Sequence, residues 1–192
     1  MSSTKSSAPD RAVIPAGVER YVETVTAVLR QILGDELVGI YPTGSLALGG
    51  FTPGRSDIDL MAVVDDGLSR PAGQRLLSQL DGNVLPVPAT GLELVLYPRA
   101  TVTADVVTAG YSLNINMGPE LPRRASLDPA DDPAFWYGID RAITHQSGWP
   151  LFGPPPRALF HPLPFRHCSP YWYRPWKRRP GREPATCWTT RL

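Results

Sequence analysis

The stretch from Gly44 to Leu60, GSLALGGFTPGRSDIDL, holds two aspartates one residue apart, Asp57 and Asp59, and an apolar run follows them. Asp is rare inside strands, because its short polar side chain competes for backbone hydrogen bonds and is penalised on burial. Side chains alternate faces along a strand, so Asp57 and Asp59 point one way and Ile58 the other. Two carboxylates that close repel unless a cation sits between them. Hard oxygen donors suit Mg²⁺, which takes one or two carboxylates and fills its shell with water and phosphate oxygens. Upstream, Gly44 and Ser45 follow a short apolar run and can open a helix, where backbone N–H groups hold phosphate oxygens. A phosphate cradle followed by a carboxylate pair is the equipment of metal-assisted phosphoryl-group chemistry. An isolated D-x-D would more simply be one turn cap and one solvated charge. The Gly44-Ser45 pair upstream and the apolar strand behind weigh against that here.

An alcohol is a poor nucleophile at neutral pH, so transfer to a hydroxyl benefits from a nearby base. Glu93 is the one charge in LELVLYP. It either faces solvent on an alternating strand or is brought beside the aspartates by a neighbouring strand; spacing alone leaves both open. Other polar residues are weaker candidates. Asn114 and Asn116 share a strand face, where edge hydrogen bonding is the simpler role. Asp140, in the last helix, either faces a bound acceptor or, more simply, is a surface charge; Phe135 and Trp136 read as core, and Asp65 and Asp66 as the solvated end of a strand. Arg55 is a candidate phosphate contact. His145, His161 and His167 show no shared metal spacing.

These side chains need elements to position them. Val18, Tyr21, Val22, Val25, Leu29, Ile32 and Leu33 recur at helical spacing over 16–34, with Gly34 as the stop. Short strands are expected over 37–41, 59–66 and 92–98, and another near 111–116. Leu76, Leu77 and Leu80 mark a helix over 70–82. A last helix over 131–148 is expected to be capped by Asp131 or Asp132, with Pro133 in its first turn and Gly148 at its end. The pattern implies an α/β domain in which helices pack on one face of a small sheet.

The motif G-S, a spacer, then S-D-I-D-L resembles the signature of the nucleotidyltransferase superfamily related to DNA polymerase beta. The fuller stretch GSLALGGFTPGRSDIDLMAVV is similar to bacterial aminoglycoside nucleotidyltransferases, in particular the streptomycin/spectinomycin adenylyltransferase-like group. Similarity continues through GLELVLYP, LNINMGP, FWYGIDRAI and LFGPPP, roughly Ala16 to Phe165. The resemblance implies a small mixed-sheet nucleotidyltransferase fold over 16–165 and Mg²⁺-dependent transfer of AMP from ATP to an aminoglycoside hydroxyl. It implies Asp57 and Asp59 as metal ligands and Gly44, Ser45 and Ser56 as nucleotide contacts. It places a carboxylate where Glu93 stands, as base or third ligand. Thr43 departs from the family, which has a bulky residue or His there, and Pro42 is unusual beside a strand; a local change is expected. Rival readings are a minimal nucleotidyltransferase acting as an antitoxin or binding module, and modification of a lincosamide or a protein hydroxyl.

The formal net charge of +1 points to neither nucleic acid nor membrane as a partner. No apolar stretch approaches the ~20 residues of a membrane span, and the N-terminus lacks a signal-peptide core, so cytoplasm is the expected compartment. Residues 1–15 read as flexible. The charge is uneven: residues 1–165 carry a net −5, whereas 166–192 carry +6 and three of the five tryptophans. Both cysteines, Cys168 and Cys187, lie there too. Relatives continue with a helical domain that contributes to the antibiotic cleft; here 166–192 shows no amphipathic pattern. The tail reads as disordered or non-native, preferably the product of a shifted reading frame, with a natural basic extension as the alternative. On the first reading, transfer is weak or lost.

Overall fold

The computed structural model describes residues 14–130 and 132–163. The expected flexible N-terminus up to Val13, the Asp131 cap and the atypical 166–192 tail lie outside the described residues. Helix α1 (Ala16–Leu33) buries Val18, Tyr21, Val22, Val25, Leu29 and Leu33, the spaced apolar set with Ile32 at its margin. Gly34, with φ 54°, ends it, and a 3-10 turn leads into β1 (Leu37–Pro42). Pro42 closes this strand, where a missing N–H is tolerated. A four-residue helix, α2 (Gly44–Ala47), and a loop lead to β2 (Ile58–Val64). Helix α3 (Arg70–Gln79) crosses back to β3 (Leu92–Pro98), and Ser69 caps it by accepting from the Ala72 N–H at 3.4 Å. Then come α4 (Arg99–Thr103), β4 (Leu113–Met117), β5 (Arg124–Ser126), α5 (Ala134–Ser147) and α6 (Pro156–Leu159).

The sheet runs β1-β2-β3-β4-β5, antiparallel throughout except for the parallel pair β2–β3. This order puts β3 at the centre and pairs β2, β3 and β4 on both sides. One face carries Ile58, Leu60, Ala62, Leu92, Leu94, Leu96 and Ile115 against α1 and α3. Fully burying each of the leucine and isoleucine side chains contributes about 1.5–3 kcal/mol.

The expectation of helices on one face alone is corrected: the other face is also covered. There Tyr41, Met61, Val63, Val95 and Tyr97 pack with Tyr111, Tyr137 and Phe160, contributed by β4's approach, α5 and the residue after α6. Sequence pattern missed this layer because α5 carries Thr144, Asp140 and a fully buried Arg141 among its apolar residues. The Arg141 guanidinium donates to the carbonyls of Thr101 (2.6 Å), Val106 (2.8 Å) and Thr108 (3.3 Å), pinning the α4–β4 connection beneath the helix. Strand β5, three residues with no periodicity, also escaped the sequence pattern. Among the described residues no helix is long and apolar enough to cross a membrane.

Candidate active site

Residues on the α5-covered face alternate with the core-facing ones, and the register decides which of them meet. Asp59 on β2 pairs with Glu93 on β3, Glu93 with Asn116 on β4, and Asn116 with Arg124 on β5. A polar row thus crosses the sheet at one end of the face. Glu93 shares that face with Asp59, while Leu92 and Leu94 point into the α1/α3 core. Ile58 likewise points into that core, so Asp59 faces the opposite side; Asp57 stands just ahead of the strand, and its charge reaches Asp59.

The β1–α2 corner closes over Asp59. The Thr43 N–H donates to the Asp59 carbonyl at 3.0 Å. Gly44 follows with φ 53°, and a Cβ there would collide with Asp59 Oδ2, so both backbone conformation and space demand glycine. The Ser45 N–H donates to the Asp59 carboxylate, which spends on the protein one donor that the sequence assigned to phosphate. The Ser45 hydroxyl is buried with no hydrogen-bond partner among the described residues, an orphaned polar atom beside the carboxylates. Ser56 closes the preceding loop: its Oγ accepts from the Thr52 N–H at 3.0 Å and its own N–H donates to the Thr52 carbonyl at 2.9 Å. Arg55 stands exposed on that turn.

Burial, and then the charges of Asp57, Glu93 and Asp140, push the Asp59 carboxyl well above its ordinary range. Burial also raises Asp57, against the pull of its own backbone N–H. Asp140 is the residue that sequence reasoning underrated. It was assigned to the surface, yet its charge reaches both Asp59 and the buried Tyr97 hydroxyl. The available signal was its helical spacing: three residues after Tyr137 and four before Thr144, both buried on the sheet.

The remaining candidates separate from this cluster. Asn114 is buried and donates to Tyr137 Oη at 2.9 Å, and Asn116 donates to Asn114 Oδ1 at 2.9 Å. Asp132 does not cap α5; Pro133 occupies that position without a side-chain cap. Its Oδ2 instead accepts from Tyr137 (2.6 Å) and Tyr111 (2.7 Å), and its Oδ1 from Arg124 (3.0 Å). Asp65 pairs with Arg99 at 2.7 Å on the surface, as a solvated strand end should. Phe135 was expected in the core but is 37% exposed, stacked on Trp136 at 4.4 Å. His161 lies 3.3 Å from Asp105, far from any shared metal arrangement.

The donor set fits Mg²⁺ of the open kind. Asp59 has Glu93 in register beside it, and Asp57, one residue ahead of the strand, adds a second hard carboxylate whose charge Asp59 feels. Among the described residues no group of three or more His, Cys, Asp or Glu is placed to hold a metal ion, so Asp57 and Asp59 would be a two-carboxylate site of the kind Mg²⁺ takes together with phosphate oxygens and water.

Residues 23–112 match the family described as "Nucleotidyltransferase domain", a span that contains the Gly44-Ser45 corner, both aspartates and Glu93. No curated protein matches by sequence. Among solved structures, the fold is similar to spectinomycin adenyltransferase AAD(9) from Enterococcus faecialis, crystallised with ATP and spectinomycin. The TM-score is 0.58 at 17% identity, over 78% of this chain and 62% of that one. The chain thus spans under two thirds of that protein's length, and the likeness establishes the fold. A toxin–antitoxin structure with AMP-PNP is similar at a TM-score of 0.37 and 17% identity, over 69% of this chain and 73% of that one.

Proposed function

We propose that this chain, whose residues 23–112 match the family described as "Nucleotidyltransferase domain", is a Mg²⁺-dependent adenylyltransferase acting on a hydroxyl of an aminoglycoside-type compound. One observation carries the reading: Asp59 and Glu93 stand in register on one sheet face, with Asp57 just ahead of the strand, beside a glycine corner that admits nothing larger. The adenyl donor and the aminoglycoside acceptor are supported by the fold shared with AAD(9), which was crystallised with ATP and spectinomycin.

In this reading Asp57 and Asp59 hold the ion, which when bound supplies positive charge to the triphosphate and the departing pyrophosphate. Gly44 lets the backbone approach the phosphates, and the orphaned Ser45 hydroxyl gains a partner in a phosphate oxygen. Ser56 keeps the loop before β2 closed, next to the nucleotide. Glu93 takes the proton from the acceptor hydroxyl. The acceptor oxygen then forms a bond to the α-phosphorus as the bond from that phosphorus to the pyrophosphate oxygen breaks.

Calorimetric titration with Mg²⁺ and ATP tests the reading. The chain binds ATP only with the ion present, and Asp57→Asn with Asp59→Asn abolishes that binding. Undiminished Mg·ATP affinity in the folded double variant overturns it. Labelled ATP with a panel of aminoglycosides then identifies the acceptor; tight nucleotide binding with no transfer to any of them would favour a binding module.

A further inference from the structure

Asn116 stands where the acidic row meets the hub at Asp132. It is in register with Glu93 on one side and with Arg124 on the other. Directly opposed residues of adjacent antiparallel strands face the same way, with Cβ atoms about 4.5–5.5 Å apart, so Asn116 and Glu93 leave the sheet side by side. The hydrogen bonds behind Asn116 all run in one direction. Its Nδ2 donates to Asn114 Oδ1 at 2.9 Å, Asn114 Nδ2 donates to Tyr137 Oη at 2.9 Å, and Tyr137 Oη donates to Asp132 Oδ2 at 2.6 Å. Asp132 also accepts from Tyr111 and from the Arg124 guanidinium, which makes it an ionised end that can only accept. Tyr137 has one hydroxyl proton and gives it to that carboxylate, so it must accept from Asn114, and the same logic orients both amides. The oxygen of the Asn116 amide is thereby left outside the relay, and no described residue donates to it. Asn114 is fully buried and Asn116 only partly, so the relay opens at the Asn116 end, beside Glu93.

We propose that Asn116 is a specificity-determining residue, whose Oδ1 accepts from an ammonium group on the carbon next to the hydroxyl that Glu93 deprotonates. The inference rests on the functional reading above and names the hydroxyls it selects, those of a vicinal amino alcohol. An oxygen that can only accept calls for a donor on the bound molecule. Each amide of the relay donates at nitrogen, which strengthens its oxygen as an acceptor, and the polarisation begins at the Asp132 charge. Asp59 and Glu93, in register along the same row, favour a cationic donor over a neutral one. Asn114, Tyr137 and Asp132 are positioning residues that act through Asn116.

The test uses the full chain with Mg²⁺ and an ATP in which a methylene replaces the oxygen between the α- and β-phosphates, so that nothing is transferred. The probes are deoxystreptamine, a cyclitol with ammonium groups beside ring hydroxyls, and myo-inositol, which carries hydroxyls alone. In calorimetry the wild type binds deoxystreptamine about tenfold more tightly, the worth of a hydrogen bond to a charged group. Asn116→Leu keeps the shape and abolishes that preference, while affinity for the Mg²⁺–nucleotide complex stays at the wild-type value. Asn116→Asp keeps an acceptor oxygen and retains the preference; it also decides the matter should the leucine variant fail to fold. Tyr137→Phe breaks the relay, which lowers the preference about two- to threefold and speeds exchange of the Asn116 side-chain N–H protons in NMR. Equal binding of the two probes, binding of neither, a preference that survives Asn116→Leu, or its loss in Asn116→Asp overturns the proposal. A wild-type chain that binds no Mg²⁺–nucleotide complex overturns the proposed function and, with it, the substrate role of Asn116. Side-chain exchange in Tyr137→Phe still decides separately whether the relay orients the amide.

Discussion

Asp59, beneath the β1–α2 corner, and Asp132, just ahead of α5, have opposite surroundings. Asp59 lies among three other acids and takes a backbone N–H from Ser45, and burial with like charge drives its carboxyl up. Asp132, toward β5, is also removed from water, but Tyr137, Tyr111 and Arg124 all donate to it. Their hydrogen bonds outweigh the upward push of burial and hold it below its ordinary range. A buried charge that is fully hydrogen-bonded fastens structure; one held against its neighbours' repulsion awaits a ligand. The first kind joins β4, β5 and α5, and the second stands where we propose that the chemistry is done.

The sharpest break of this contrast falls on the acidic end. Glu93→Gln should lower turnover about 10²–10⁴-fold while Mg·ATP affinity stays near wild type. Survival of turnover within a few-fold would move Glu93 to the structural side and place the base elsewhere. Gly44→Ala comes next, because it imposes a left-handed backbone on alanine and drives a methyl into Asp59 Oδ2. A destabilisation of about 1–3 kcal/mol is expected in urea unfolding, with loss of nucleotide binding. Wild-type stability in this variant would mean that the corner can rearrange.

At the fastened end, Asp132→Asn strips charge from three hydrogen bonds and should destabilise by about 1–2 kcal/mol without altering Mg·ATP affinity. A change in affinity larger than the change in stability would blur the division between the two regions.

The smallest effect is a difference of sign with pH, measured by thermal unfolding without metal. Asp59 has its folded pKa raised above the ordinary 3.8, so the folded state binds the extra proton. Stability then falls as pH rises above that value, and Asp59→Asn should raise the midpoint at pH 7 and have no effect in strong acid. Asp132 is the reverse: its folded pKa is lowered from 3.8, so its contribution is present above that value and is lost as pH falls through the folded one. Asp132→Asn should therefore lower the midpoint at pH 7, with the gap closing in acid. Mg²⁺ should raise the wild-type midpoint more at pH 7 than near pH 4, because the ion competes with protons on the Asp57/Asp59 pair. Parallel pH curves for the two variants would erase the contrast.

The Asp57/Asp59 pair, the helix opening at Gly44 and the α1 face are legible from the chain alone; that glycine is required at 44 is not, because the clash it avoids is with Asp59, fifteen residues on. The three legible features depend on strand alternation, local backbone geometry or helical spacing, which operate within a few residues. The register of Glu93 against Asp59 was left open by spacing, and only the parallel pairing of β2 with β3 decided it. Asp132 looked like a helix cap because it sits beside Pro133, and became a hub only when Tyr111, Arg124 and Tyr137 converged on it. Asp140 looked like a surface charge because polarity in one dimension does not say which face of a helix meets a sheet. A local pattern determines a side chain's direction from its own backbone. What stands opposite it is set by chain folding over tens of residues, where burial and the sum of neighbouring charges act together.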